Sequence, residues 1–101
     1  MSDFLDQIRR VEEERREAAA RREARLAQPF TVKTSYWTFE LTAADAQGKR
    51  TMRCPERDEV TEGRLVWLGR VGGEMRFDGS DGESRLSGTI RSIEPDPDAA
   101  E

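Results

Sequence analysis

Few residues in this chain combine the type and spacing that chemistry requires. Its single cysteine, Cys54, could act as a nucleophile, but the sequence contains no histidine to activate it. Cys54 also alternates in step with Met52, which points the thiol inward as a structural residue. The segment Asp78-Gly-Ser-Asp-Gly-Glu83 groups three carboxylates of the kind calcium takes. Their spacing does not match a calcium-binding helix-loop-helix, and Asp-Gly is ordinary turn chemistry. The glycines of Gly69-Arg-Val-Gly-Gly73 lack the Lys-Ser/Thr pair of a phosphate-binding loop. Acidic residues are plentiful, but nothing in the sequence pairs two of them across a cleft. The expectation is a non-enzymatic protein with no metal and no cofactor.

Recognition leaves clearer marks. Phe4, Leu5, Ile8 and Val11 recur at helical spacing and form one apolar face. Such a face suits docking into a partner's groove or the seam of a short oligomeric coil. The plainer reading has it folding back onto the protein's own core. Arg15, Arg16, Arg21, Arg22 and Arg25 stand against Glu17 and Glu23, a local +3 suited to phosphate contact. The plainer reading is a solvated helix laced with ion pairs, such as Glu12 with Arg16 and Glu17 with Arg21. Arg50, Arg53 and Arg70 could add phosphate contacts from the β region, with Tyr36 as a surface ring for base stacking. Trp37 and Trp67 read as core residues.

The elements that must position these groups divide at Gln28-Pro29. Residues 1–28 read as one charged helical arm, with Ser2 as N-cap, Asp3 and Asp6 at the positive end of the helix dipole, and Ala18-Ala19-Ala20 adding propensity. The apolar seam fails after its third turn, so the helix cannot cover a sheet along its length. Residues 29–94 read as a small β domain. Its five strands are Phe30–Leu41, Arg50–Cys54, Arg64–Val71, Glu74–Asp78 and Arg85–Glu94, divided by turn residues. The apolar phase of the first strand shifts near Ser35-Tyr36, which predicts a bulge or bend there. Residues 95–101 read as a disordered acidic tail.

The fold class expected is α+β: the arm followed by a five-stranded antiparallel barrel, SH3-like or OB-like, or a curled meander. The core expected is Val32, Trp37, Phe39, Leu41, Met52, Leu65, Trp67, Leu68, Val71, Met75, Phe77, Leu86 and Ile90. About 65 residues is near the lower limit for an independent core, which favours association.

The net charge of −4 resides wholly in Glu94, Asp96, Asp98 and Glu101, because residues 1–28 and 29–93 each balance. Whole-molecule attraction to nucleic acid is therefore not expected. The lone cysteine fits a reducing compartment. The opening residues lack the apolar run of a secretion leader, and no window reads as a membrane span. These features favour a cytoplasmic interaction or assembly module, or a virion component if the arginine-rich, lysine-poor composition marks a phage. Its partner is a protein or further copies of itself, engaged through the N-terminal helix and not through a membrane. The alternative is a nucleic-acid-associated regulatory or inhibitory module that uses the arginines.

Overall fold

A computed structural model describes residues 2–98, with the side chain of Ser2 excepted, so the Ser2 cap and residues 99–101 lie outside the described residues. One helix, α1 (Ser2–Leu26), precedes seven strands. These are β1 (Phe30–Thr34), β2 (Thr38–Leu41), β3 (Lys49–Cys54), β4 (Glu59–Leu68), β5 (Met75–Gly79), β6 (Ser84–Leu86) and β7 (Ile90–Glu94). At about 1.5 Å per residue, α1 is roughly 37 Å long. Its ladder ends with Ala27 N donating to Glu23 O at 3.0 Å and Gln28 N to Arg25 O at 3.1 Å, a tightened last turn before Pro29. Every residue from Asp3 to Arg21 is exposed. The long dimension of the molecule, 60 Å against 30 and 22 Å, reflects this projecting arm.

The strands form one antiparallel sheet in the order β6-β5-β4-β3-β2-β1-β7. The α+β class therefore holds, while the expected five strands become seven and strand pairing does not close the sheet. Two of the expected strands each split in two. The phase shift near Ser35-Tyr36 is a bend, the two-residue turn between β1 and β2. Thr34 N donates to Trp37 O at 2.9 Å, and Thr34 Oγ1 accepts from Trp37 N at 3.0 Å. Phe30 and Val32 then pair with Leu41 and Phe39, so both apolar phases face one core.

The last expected strand breaks at Ser87-Gly88-Thr89, where Gly88 takes φ +77°. Its halves, β6 and β7, lie at opposite ends of the strand order. A four-residue step spans at most about 14 Å, so the sheet must curl until its ends nearly meet. Ile90 strengthens that curl across the β4–β5 turn, donating to Gly73 O at 2.8 Å and accepting from Gly72 N at 2.9 Å.

β4 begins five residues earlier than expected, drawing in a stretch that looked like a polar connection. Its inward positions there are Thr61 and Gly63. Gly63 is required by close packing, because a Cβ would run into the Asp78 carbonyl on β5. Further along, the register with β5 slips between Leu65 and Trp67. This bulge turns Val66 and Trp67 outward together.

The core gathers Phe30, Val32, Phe39, Leu41, Met52, Cys54, Leu68, Met75, Phe77, Ile90 and Ile93, with Leu26 and Leu65 packed at its margin. Four residues expected in it stand outside: Trp37, Trp67, Val71 and Leu86. Trp67 left through the bulge and lies against Arg76, 5.4 Å from guanidinium carbon to ring centroid. Trp37 sits beside the hairpin turn under Arg57, at 5.4 Å. Val71 is in the β4–β5 turn. Leu86 is the last residue of an edge strand.

This exchange of roles has a measurable consequence. Phe77 is fully buried, so Phe77→Ala should lower the unfolding free energy by about 3–5 kcal/mol. Trp67→Ala removes an exposed ring and its cation contact, and should cost about 1 kcal/mol. Urea denaturation of both variants checks the assignment, and equal losses would return Trp67 to the core.

Candidate interaction surface of the helical arm

The arm is attached at one end and uncovered at the other. Its attachment is built from two arginines and the backbone around them. On β3, Arg50 shares parity with Met52 and Cys54 and therefore points inward. It is 5% exposed. Its Nη2 donates to Leu26 O at 2.5 Å. Its guanidinium carbon lies 5.2 Å from the centre of the Phe30 ring. Burial pushes its pKa below the ordinary arginine value. Arg50 Nε and Nη1 have no hydrogen-bond partner among the described residues. The π face of Phe30 is the electron-rich surface they are left with.

Arg22 completes the root from the helix side. Its Nη2 donates to Leu68 O at 3.0 Å and Gly69 O at 3.3 Å, and its Nε meets Asp98 at 3.0 Å. Arg25 Nη1 donates to Pro97 O at 3.1 Å. Ala44 N donates to Ala27 O at 2.9 Å. Residues 95–98, expected in a disordered tail, are thus laid against the end of α1, with Pro97 buried and Arg70 adding a 3.6 Å contact to Asp98.

Eight arginines were offered for phosphate contact, and the structure treats them unequally. Arg50, Arg22 and Arg25 are engaged with their own chain at the root. Arg50 meets a carbonyl at the helix C-terminus, where cations are favoured, whereas Arg22 and Arg25 reach from the helix to carbonyls of β4's end and the tail. Arg15, Arg16 and Arg21 are exposed on the arm. Arg53 is exposed on the outer face of β3. There it belongs to a row across five strands, Glu94, Thr31, Glu40, Arg53 and Val60, fixed by the pairing registers. Beside that row, Pro29, Phe30 and Leu41 line an open depression of about 460 Å³ at the arm's root. The signal for Arg50 was present in its alternation with Met52. The row could not be read before the registers were known.

At the far end the apolar face is uncovered. Phe4 is 67% exposed and Leu5 61%, while Ile8 and Val11 remain 41% and 45% exposed. The fold-back reading of these four residues does not describe this conformation.

The other candidate sites are occupied by structural contacts. In the 78–83 turn, Asp78 meets Arg76 at 3.0 Å and Ser84 at 2.7 Å. Asp81 meets Arg85 at 2.9 Å and accepts from Glu83 N at 3.0 Å. Among the described residues no three His, Cys, Asp or Glu side chains converge as a metal site. Between β6 and the β2–β4 part of the sheet, Trp37, Met52, Cys54 and Leu86 line a gap of about 220 Å³, below the roughly 300 Å³ at which small-molecule pockets begin. Burial pushes the Cys54 thiol above its ordinary pKa, the reverse of an activated nucleophile. Among the described residues no helix is long and apolar enough to cross a membrane. No known protein family matches the chain, and neither does any curated protein or solved structure.

Two predictions arise from these contacts. Arg50→Met keeps the aliphatic stem and removes the guanidinium. A charge-assisted hydrogen bond contributes about 1.5–3 kcal/mol, so amide exchange in the last turn of α1 should accelerate about tenfold or more. The sheet should stay folded, because an apolar replacement removes the buried charge as well. Unchanged protection in that turn would show that Arg50 does not hold the arm.

The second prediction concerns Asp81. The hydrogen bond from Arg85, followed by that from Glu83 N, lowers its pKa from 3.8 to about 2. A carboxylate depressed in the folded state contributes stability above its unfolded pKa and loses it as pH falls through the folded one. The Asp81–Arg85 contact should therefore be intact above about pH 4 and fail toward pH 2. An NMR titration of the Asp81 carboxyl carbon with a midpoint near 4 would contradict this.

Proposed function

We propose that the chain is a non-enzymatic interaction module. A small curled sheet holds a rigid helical arm, and the arm's apolar tip docks on a protein surface, either another copy or a larger complex. One observation carries this reading: the largest exposed apolar face of the helix lies at the end farthest from its own core. Burial stabilises apolar surface by about 25 cal/mol per Å², so four large side chains at one tip have much to gain from a cover. Isolated helices are marginal in water, which adds a reason for that end to seek one.

The nucleic-acid alternative draws on Arg15, Arg21 and Arg53. It loses support from the engagement of Arg22, Arg25 and Arg50 with their own chain. A variant of that alternative, an inhibitor of a nucleic-acid machine whose acidic tail would imitate phosphate, loses support likewise, because Asp98 is paired with Arg22 and Arg70.

Ile8→Asp tests the proposal in the full-length chain. It sets a charge in the middle of the apolar face, far from the sheet, and burying it without a partner costs several kcal/mol. An assembly of micromolar affinity holds about 8 kcal/mol, so it should dissociate. Sedimentation and pull-down with wild type and variant should show loss of the arm's partner with an unchanged thermal midpoint for the sheet. Retention of the same partner by Ile8→Asp, together with salt-sensitive binding of single-stranded DNA, would replace this reading with the alternative.

A further inference from the structure

We propose that Arg22 and Arg70 form a phosphate site at the root of the arm, which the chain's own Asp98 fills until a phosphate group displaces it. The site goes beyond the docking of the tip and lies at the opposite end of the helix. The net charge of −4 belongs to the last residues of the chain, whereas residues 15–25 carry five arginines and two acids, a side-chain charge of +3. The fold brings these two stretches together at Asp98. The acid of the tail thus stands where a phosphate would, but for the chain's own arginines and not for those of a partner.

The clamp is built from two elements. Arg22 Nη2 donates to the Leu68 and Gly69 carbonyls at 3.0 and 3.3 Å, which fixes the plane of the guanidinium. Its Nε is left aimed at Asp98 Oδ1, 3.0 Å away. Arg70, from the β4–β5 turn, brings its Nε within 3.6 Å of Oδ2. Two cations therefore grip the two oxygens of one carboxylate. Guanidinium groups take phosphate oxygens in the same way. Arg22 is oriented by its own chain beforehand, so a ligand has less to order on binding.

The occupant is loosely held. The side chain of Arg70 is 79% exposed and that of Asp98 31%, and exposed ion pairs contribute little. Behind Asp98 the backbone is secured separately. Arg25 Nη1 holds Pro97 O, Pro97 is buried, and Asp98 N donates to Asp96 Oδ1 at 2.9 Å. The Asp98 carboxylate can therefore swing out while the tail stays in place. A ligand with more than one phosphate has a path to follow from there. Arg15 lies seven residues before Arg22, two turns and about 10 Å outward on the same helix face. It is exposed, as is Arg21.

Asp98→Asn in the full chain removes the competing charge and keeps the size of the side chain. Fluorescence anisotropy with a labelled oligothymidylate should show binding about threefold tighter than wild type at low salt, the effect of one exposed charge pair. In the wild type, phosphate replaces a carboxylate that then regains its own counterion. The slope of log K against log salt should therefore be steeper by about 0.7 in Asp98→Asn, the single-strand value for one charge. Glu40→Gln makes the same change of net charge on the outer face of β2 and should leave affinity and slope as in wild type. Arg70→Gln should cancel the gain of Asp98→Asn. Inorganic phosphate, followed through the Arg22 Nε–H resonance of Asp98→Asn, separates the sources of the group. A shift with phosphate and no tighter oligonucleotide binding supports the site and assigns it to small phosphates. An Arg22 resonance that phosphate does not move, with Asp98→Asn binding no tighter than Glu40→Gln, overturns it. So does a gain that survives Arg70→Gln. Ile8→Asp leaves the root intact and should bind the oligonucleotide as wild type does, so this site and the docking of the tip fail separately.

Discussion

The contact between the Arg50 guanidinium and the Leu26 carbonyl is the constraint on which the molecule's shape depends. A helix ends with carbonyls that have no partner of their own, and with the negative end of its dipole. Arg50 brings a cation to that end from inside the sheet. Arg22 performs the reciprocal act, reaching from the helix to the Leu68 and Gly69 carbonyls at the end of β4. The helix is therefore tied to β3 and β4, the middle of the strand order. Cations are costly to bury, and this one is tolerated because a carbonyl and an aromatic face meet it. An apolar pair could have held the same two elements together. The arginine adds a fixed distance and direction, so α1 leaves the sheet at a set angle and does not trail from it.

The curl of the sheet follows from a different economy. With so few residues, an open flat sheet would leave one face of its core wet. The break at Ser87-Gly88-Thr89 lets one chain segment serve both ends of the strand order. Ser87 secures one side through Met75, its hydroxyl accepting from Met75 N at 2.9 Å and its own N–H donating to Met75 O at 3.0 Å. Ile90 secures the other through the β4–β5 turn. The two edges are left short of pairing.

How much of this was legible in the sequence can be argued residue by residue. The break at Pro29 was plain, because a proline after a charged helix and before β-branched residues has few other meanings. Period-two alternation identified Val32, Phe39, Leu41, Met52, Met75 and Phe77 as inward. It failed at Trp67 because a bulge is invisible to alternation: one extra residue reverses the phase, and a large aromatic in an apolar run looks like core. At Ser35-Tyr36 the phase shift left a bulge or a bend open, and the pairing of β1 with β2 decides for the bend. Ile93 is out of phase with Ile90 within β7, and both face the core because the register with β1 shifts between Lys33 and Thr34. Charge was the least legible property. An arginine reads as surface by type, and only the register of β3 reveals that Arg50 faces the helix end. The depression at the root was not legible at all, since its walls come from residues 29 to 94 and meet only through strand pairing.

The arm itself combines two opposed requirements. A helix is costly to nucleate and cheap to extend. Here the nucleus lies at the root, where Leu26 packs on the core and Arg22 and Arg50 fix the last turn. Extension outward then depends on propensity, and the Ala, Glu and Arg residues of positions 12 to 25 supply it. By positions 4 to 11 the helix has travelled more than two turns beyond any tertiary contact, and there it carries its largest apolar side chains. Those side chains contribute little to an uncovered helix. Had they been needed to hold the arm to its own sheet, they would lie near Leu26, where the core is. Their position at the opposite end leaves the arm with a stable base and an outer segment uncovered by its own sheet. A helix arranged in this way transmits the rigidity of a small sheet to a surface that lies a helix-length away.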